Sequence, residues 1–364
     1  MVQNNNTTNN AYGLKSVLIA RFSAIGDVAM TVPVIYSACR CYPDVRFTMV
    51  TRPAMTAIFV NPPANLSVVG VDLKEQYRGI GGMRRLVRDM VCEHHIDCFV
   101  DLHDVLRTRL MGIFCHLRRI RVARINKGRG SKRALTRRNN KVMLPLISQR
   151  ARYREVFFHA GLPLTEQFEG LYSGRSAADP AIFAGITGPK PQGEQWIGIA
   201  PFAAHNGKVY PPEMMYEVVA RLAERPSTRI FLLGGGGNEQ QILESWAAKI
   251  PQATCLAGKR NGFAVEMALF NHLDVMLTMD SANMHLASIA STPTVSVWGA
   301  THSYCGFKGW RQSDDDMVQL PMTCRPCSVF GNKPCHRGDY LCLTAIKPEA
   351  IVDSVVKKLQ HKSL

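Results

Sequence analysis

The sequence predicts an α/β protein made of two doubly wound domains, each a parallel sheet covered by helices on both faces. Short runs rich in apolar and β-branched residues alternate with helix-like stretches along the chain. This alternation stops at residues 173–195, which are rich in Gly, Pro, Ser and Ala, and then restarts. The 364 residues, of which 46% are hydrophobic, are enough to build two separate cores.

The first half of the chain carries five predicted strands and two predicted helices. The helices run from Asp27 to about Cys41 and over residues 82–95. The predicted strands cover 16–22, 46–52, 67–72, 96–102 and 120–125.

The second half repeats the pattern with helices predicted over 211–225, 237–250, 281–290 and 346–360. Its predicted strands cover 196–200, 229–234, 274–279 and 294–299. The resulting domain prediction is a disordered tail (1–13), a first domain (14–175), a linker (176–195) and a second domain (196–364).

Two features of the chain bear on where the protein acts. The N-terminus is polar and rich in asparagine, without the basic start and apolar stretch of a signal peptide. No run of about 18 apolar residues is present, so no membrane span is predicted. We therefore expect a cytoplasmic protein.

The positive charge is concentrated in residues 105–154, which we call the basic segment. It contains sixteen Lys or Arg residues and no Asp or Glu, whereas basic and acidic residues balance elsewhere. A local field of this kind predicts an anionic partner: a nucleic acid, a membrane surface or a phosphorylated substrate. Its only aromatic residues are Phe114 and Tyr153, so it lacks the stacking platforms of single-strand nucleic-acid binders. A solubilising face is the structural alternative.

Candidate site residues follow the predicted strands, because ligands of doubly wound sheets bind where strands end and helices begin. Asp27, in RFSAIGDVAM, is either a helix cap or a general base. Lys208 lies in a polar loop after 196–200 and is either solvated or aimed at a phosphate leaving group. Glu239 follows four glycines and either favours the helix dipole or holds a ribose.

The stretch TMDSANMHLAS places Asp280, Ser281, Ala282 and His285 between a strand and a helix. Three interpretations compete: a cap with a packed histidine, a metal site and an anion-binding loop. A metal site is disfavoured, because no second histidine or carboxylate lies at the spacing that metal ligands need. An anion loop explains the small residues, the free N–H groups of the helix start and the polar side chain together.

These motifs, in this order, resemble the ADP-heptose:lipopolysaccharide heptosyltransferases of glycosyltransferase family 9. The resemblance covers roughly residues 16–302 and implies a GT-B fold, in which two Rossmann-like domains face a central cleft. It implies that Asp27 is the catalytic base and that Lys208 contacts the donor diphosphate. Asp280, Ser281, Ala282 and His285 would surround the nucleotide sugar, and Glu239 would hold its ribose. Ala203 and Ala204 depart from the family, which often has hydroxyl residues ahead of the lysine.

The expected function is therefore inverting transfer of a heptose, or a related sugar, from an ADP-sugar donor to a lipopolysaccharide core or lipid A-type acceptor. The resemblance implies no metal and no cofactor. The basic segment suits an anionic glycolipid acceptor, with peripheral contact at the cytoplasmic face of the inner membrane and no nucleic-acid partner. A nucleic-acid-binding protein and a nucleotide-sugar epimerase on the same fold are the alternatives.

The eleven cysteines are mostly scattered, which is typical of a reducing compartment. Four of them, Cys324, Cys327, Cys335 and Cys342, have the count of a structural zinc site, with His336 as a further ligand. Reduced or disulfide-paired cysteines are the alternative. In either case we expect a structural rather than a catalytic role.

Overall fold

The computed structural model describes residues 10–174, 177–259 and 261–361, which form two compact units. Unit 1 contains residues 10–127 and 147–171, and unit 2 contains the other described residues. Residues 1–9 of the predicted tail lie outside the described part. So do residue 175, the last of the predicted first domain, and residue 176, the first of the predicted linker. Asn10 already belongs to a turn, because its side chain accepts the Leu14 N–H at 3.0 Å.

Unit 1 is built on a five-stranded parallel sheet of order β3-β2-β1-β4-β5. The strands are β1 (Ser16–Ala20), β2 (Arg46–Thr51), β3 (Leu66–Gly70), β4 (Cys98–Asp101) and β5 (Arg121–Arg124). The helices are α1 (Ile25–Ala29), α2 (Val32–Cys41), α3 (Gly79–His94), α4 (Leu106–His116) and α6 (Gln149–Ala160); α5 (Arg129–Thr136) belongs to unit 2.

Unit 2 is built on a six-stranded parallel sheet of order β11-β10-β9-β6-β7-β8. Its strands are β6 (Gln195–Ala200), β7 (Thr228–Leu232), β8 (Ala253–Cys255), β9 (Val275–Met279), β10 (Thr294–Trp298) and β11 (Met317–Gln319). Its further helices are α7 (Pro212–Ala223), α8 (Asn238–Ala247), α9 (Phe263–His272), α10 (Ala282–Ile289), α11 (Leu341–Thr344) and α12 (Pro348–His361).

Each sheet supports its own core, as two doubly wound domains require. In unit 1, Leu18 and Phe99 pack with the inner face of α3, which contributes Leu86 and Met90. In unit 2, central strand residues pack with α7, α8 and α12 in one larger cluster. The predicted α/β class with two parallel sheets is confirmed.

The helix predicted from Asp27 to Cys41 is interrupted. Helix α1 ends at Ala29, and α2 begins at Val32 with Pro33 in its first turn. Pro33 has no N–H to donate to the carbonyl four residues back, and its ring clashes with that carbonyl. One continuous helix therefore cannot form across it.

The basic segment does not stay within one unit. Residues 105–127 and 147–154 belong to unit 1, whereas 128–146 pack in unit 2. This inserted stretch is fastened to unit 2 by Lys141, whose Nζ donates to the carbonyls of Cys324 at 2.6 Å and Pro326 at 3.0 Å. The Leu146 N–H adds a bond to the Tyr304 carbonyl at 2.9 Å. The placement of the whole segment in the first domain is therefore wrong for 128–146.

Candidate active site

The topology of each sheet selects one pair of loops for ligand binding. In doubly wound sheets the ligand crevice forms where the strand order reverses direction, at the carboxyl ends of the strands. This switch point lies between β1 and β4 in unit 1, and between β6 and β9 in unit 2. Asp27 follows β1, Lys208 follows β6, and Asp280 follows β9 directly.

Asp27 occupies the third position of α1, and Ala24 is the N-cap. The Asp27 carboxylate accepts the Ala24 N–H at 3.3 Å, so it still satisfies a donor at the helix start. The same carboxylate lies 2.6 Å from Nη2 of Arg21. A capping role thus explains the hydrogen bond to Ala24. It does not explain why a buried arginine forms an ion pair with the same carboxylate.

Arg21 is held in place by three groups. Its Nη1 donates to the Leu102 carbonyl at 2.7 Å, and its guanidinium lies 5.9 Å from the centre of the Tyr153 ring. Burial opposes the charge on Arg21, but Tyr153 and Asp27 outweigh it, so that the pKa of the guanidinium is raised. The Tyr153 hydroxyl in turn donates to the Asp27 carbonyl at 3.3 Å. Asp27 therefore faces a permanently charged, positioned cation.

His103 completes the switch point of unit 1. The buried Asp101 carboxylate accepts the N–H groups of His103 and Asp104 at 2.9 and 2.8 Å, which fixes the turn after β4. The Phe22 N–H then points at His103 Nδ1 at 3.4 Å. Burial, followed by the charges of Arg21 and Lys127, lowers the pKa of His103 to about 3. His103 is consequently a neutral imidazole near pH 7 and a fixed hydrogen-bonding group.

In unit 2 the switch point brings Lys208 and Asp280 into direct contact. Lys208 Nζ lies 2.9 Å from Asp280 Oδ2, and both side chains are largely buried. The Thr301 hydroxyl donates to the same carboxylate oxygen at 2.8 Å. Asp280 therefore fixes the ammonium group at the carboxyl end of the sheet, rather than leaving it as a solvated loop lysine.

Two glycines make room for Lys208. A Cβ on Gly331 would lie 2.6 Å from Lys208 Cγ, so the lysine stem rests on bare backbone at this point. A Cβ on Gly207 would lie 2.8 Å from the Gly331 carbonyl oxygen. The loop after β6 therefore packs backbone to backbone against residues 324–342, which we call the cysteine-bearing stretch. This packing sets the direction in which the Lys208 side chain points.

The stretch that begins at Asp280 forms the start of α10, with Ser281 as its N-cap. The Ser281 side chain does not cap the helix; its Oγ lies 3.1 Å from the Thr278 hydroxyl. Ala282 is the first helical residue, and His285 is buried in the first turn and a half. Because the cap side chain is turned away, the N–H groups of this helix start are suited to a bound anion.

Glu239 lies in the first turn of α8, after β7. Its Oε2 accepts the Gly235 N–H at 2.7 Å, and a Cβ on Gly235 would come within 3.2 Å of that oxygen. The carboxylate therefore closes the glycine-rich turn over the helix N-terminus. Both interpretations of Glu239, at the helix dipole or on a ribose, are compatible with this position after β7, the strand that neighbours β6.

The cysteine cluster does not form a disulfide. All eleven cysteines are free thiols, with Cys327 and Cys342 buried. Among the described residues, no group of three or more His, Cys, Asp or Glu side chains is arranged to hold a metal ion. The cluster contributes to the site through backbone, since the same stretch carries Gly331 and the carbonyls that bind Lys141.

Sequence reasoning missed Arg21, His103, Tyr153 and Thr301. Arg21 and His103 were visible as polar residues at the ends of predicted strands, which is the signal that selected the other candidates. Thr301 carries the same signal, since it comes two residues after the predicted strand 294–299. Tyr153 carries none, because only the fold brings it to the switch point.

Comparisons with known proteins place these observations in a family. The family model described as Glycosyltransferase family 9 (heptosyltransferase) matches residues 88–334. Lipooligosaccharide heptosyltransferase 2 of Campylobacter jejuni is 24% identical over 175 residues, which cover 47% of this chain and 53% of that protein. The chain thus matches about half the length of the Campylobacter relatives.

Two of the similar solved structures share the fold over more than nine-tenths of this chain. E. coli heptosyltransferase WaaC with ADP is 17% identical, with a TM-score of 0.62 and coverage of 94% of this chain and 99% of that one. E. coli ADP-heptose lps heptosyltransferase II is 14% identical, with a TM-score of 0.67 and coverage of 96% and 100%. The predicted GT-B type of α/β fold is confirmed by this likeness.

Proposed function

The chain belongs to glycosyltransferase family 9, the heptosyltransferases, and we propose that it transfers a heptose, or a related sugar, from an ADP-sugar to a lipopolysaccharide core or lipid A-type acceptor. The family match favours this function over nucleic-acid binding and over epimerisation. The observation that carries the proposal is the Lys208–Asp280 pair beside the start of α10.

The donor diphosphate is the proposed ligand of this arrangement. A buried ammonium and the N–H groups of a helix start are both donors to phosphate oxygens. As the glycosidic bond breaks, negative charge grows on the departing diphosphate, and fixed donors stabilise it without reorganisation. Lys208 supplies the cation, Asp280 positions it, and Ser281, Ala282 and His285 form the surrounding turn.

ADP is the proposed nucleotide, and the solved structure of a similar heptosyltransferase with ADP supports this choice. Glu239 is the proposed acceptor of the ribose hydroxyls. One carboxylate accepts several hydrogen bonds, so the Gly235 N–H on Oε2 does not prevent a further hydroxyl from binding.

Asp27 is the proposed base that takes the proton from the acceptor hydroxyl. The Asp27 carboxylate is partly exposed, and the buried guanidinium of Arg21 forms an ion pair with it. Attack on the side of the sugar opposite the leaving diphosphate inverts the anomeric carbon. In this step Asp27 supplies the base, the acceptor supplies the hydroxyl, and Lys208 with the start of α10 stabilises the leaving diphosphate.

The acceptor is proposed to be an anionic glycolipid met at the cytoplasmic face of the inner membrane. The acid-free basic segment suits phosphorylated lipid headgroups. Within the described residues, no helix has the length and apolarity needed to span a bilayer. We propose that the contact with this membrane is peripheral.

Calorimetric titration of ADP, UDP, GDP and CMP into wild type and two variants tests this proposal. Lys208→Ala removes the proposed diphosphate contact. Lys190→Ala is its matched control. Lys190 forms a similar ion pair with Asp274, but at the amino-terminal ends of the strands in the same sheet. We expect ADP to bind wild type and Lys190→Ala, and to bind Lys208→Ala at least about tenfold more weakly. Preference for another nucleotide would show that the donor is not an ADP-sugar. If both variants weakened ADP binding equally, Lys208 would not be a ligand of the diphosphate.

A further inference from the structure

Helix α4 carries a row of large apolar side chains on its solvent-facing side. Leu106 is 75% exposed, Ile113 is 54% exposed and Leu117, the C-cap residue, is 73% exposed. With 3.6 residues per turn, Ile113 and Leu117 each lie within about 20° of Leu106 around the helix axis. We call them the α4 stripe.

The α4 stripe is not part of the core of unit 1. The buried residues of α4 are Thr108, Met111, Gly112 and Cys115, which pack toward α3 and the sheet. At about 100° per residue, these positions lie on the side of the helix opposite the stripe. An ordinary surface helix places polar residues there, so folding of unit 1 does not explain the stripe.

Basic residues border the stripe on both sides. Arg107 and Arg109 lie about 100° and about 60° from Leu106, in opposite directions around the axis. Arg118 and Arg119 follow at the C-terminal end and are exposed. Helix α4 contains no Asp or Glu, and the acid-free basic segment continues from it.

We propose that the α4 stripe is the membrane-docking face of this protein, lying in the headgroup region of an anionic bilayer. An apolar row flanked by arginines matches the two layers of such a surface: acyl-chain boundary for the leucines and isoleucine, and lipid phosphates for the guanidinium groups. The charge complementarity argues for anionic lipid over a neutral apolar partner. The inference builds on the proposed glycolipid acceptor, which reaches the enzyme from such a surface.

Vesicle co-sedimentation of the full chain tests this docking face. The vesicles are pure phosphatidylcholine, or phosphatidylcholine with about one-third phosphatidylglycerol. The apolar variant is Leu106→Gln/Ile113→Gln/Leu117→Gln, and the charge variant is Arg107→Gln/Arg118→Gln. The control is Ile182→Gln, because Ile182 is also an exposed isoleucine, at 47%, but lies in unit 2.

We expect wild type and Ile182→Gln to bind the anionic vesicles, and to bind the neutral ones at least about tenfold more weakly. Each multiple variant should lower the partition coefficient on anionic vesicles at least about tenfold. Raised salt should weaken wild type more than the charge variant, because screening acts on the guanidinium groups. Thermal unfolding should be unchanged, since the stripe faces away from the core.

Three outcomes would overturn the docking face. The first is equal vesicle binding by wild type and the apolar variant. The second is a change of oligomeric state in that variant, by sedimentation velocity, with vesicle binding intact, which would show that a second copy covers the stripe. The third is that wild type binds RNA and that the charge variant loses this RNA binding while it still binds the vesicles. Transfer to a delipidated, water-soluble acceptor is measured in parallel: its absence in wild type would count against the proposed function and leave the vesicle result standing.

Discussion

Lys208 and Asp280 come from loops more than seventy residues apart in sequence, yet their charged groups lie 2.9 Å apart at the carboxyl ends of neighbouring strands. Thr301 holds the carboxylate from a third loop. Because both groups are largely buried, each is the oppositely charged partner of the other, and the pair couples donor binding to the stability of unit 2.

This coupling predicts a non-additive double-mutant cycle. Lys208→Ala leaves the Asp280 carboxylate buried with Thr301 as its remaining partner, so it should lower the free energy of unfolding by about 2–3 kcal/mol. Adding Asp280→Asn removes the stranded charge and should recover part of that loss, giving an interaction energy of about 1–3 kcal/mol. Urea denaturation of wild type, both single variants and the double variant measures it. Strictly additive losses would show that the two charges do not depend on each other.

The role of Asp27 is tested by Asp27→Asn. Asparagine retains an oxygen that accepts the Ala24 N–H, so the helix start is preserved, but it cannot take a proton. If Asp27 is the base, kcat for sugar transfer should fall about 10²–10⁴-fold while ADP affinity stays unchanged. Asp72→Asn is the control, because Asp72 also accepts backbone N–H groups in unit 1, from Lys74 and Glu75. Full activity in Asp27→Asn would leave Asp27 with a capping role alone.

The order of the strands with four or more residues was predictable, because strands such as β1 and β9 are buried over their whole length and read as apolar runs. Helices α4, α6 and α9 were not predicted. Strands β8 and β11, which the sequence did not predict, lie at the two edges of the sheet and have three residues each. Three residues are too few to show the alternation of apolar and polar residues that marks a strand. The candidate site residues were identifiable one by one, as polar groups after predicted strands. Their pairing was not, since it depends on β6 lying beside β9, which is set by the packing of the whole sheet.

Acid should destabilise unit 1 through His103. Its pKa is lowered to about 3 in the folded chain, from about 6.5 when unfolded, so the folded state binds fewer protons in that interval. The stability that it contributes is complete above pH 6.5 and is lost as the pH falls toward 3. Between pH 6 and 5, wild type should lose up to about 1.4 kcal/mol more than His103→Asn. Parallel pH profiles of unfolding for the two proteins would contradict this assignment.

The close packing of Gly331 against Lys208 predicts a loss of donor affinity without any change of charge. In Gly331→Ala, the new Cβ would lie 2.6 Å from Lys208 Cγ, at a backbone φ of +73°. The left-handed backbone alone should cost about 1–2 kcal/mol of stability. The displaced lysine stem should additionally weaken ADP binding at least about tenfold, because a charge-assisted bond to phosphate depends on its geometry.

Gly338→Ala separates these two effects. Gly338 has a similar φ of +81° in the same stretch, but a Cβ there meets no atom within 4 Å. It should show a comparable loss of stability in urea denaturation and normal ADP affinity by calorimetry. If both alanine variants weakened ADP binding equally, backbone strain in the cysteine-bearing stretch would be the cause, and the direction of Lys208 would not depend on the bare glycine beneath it.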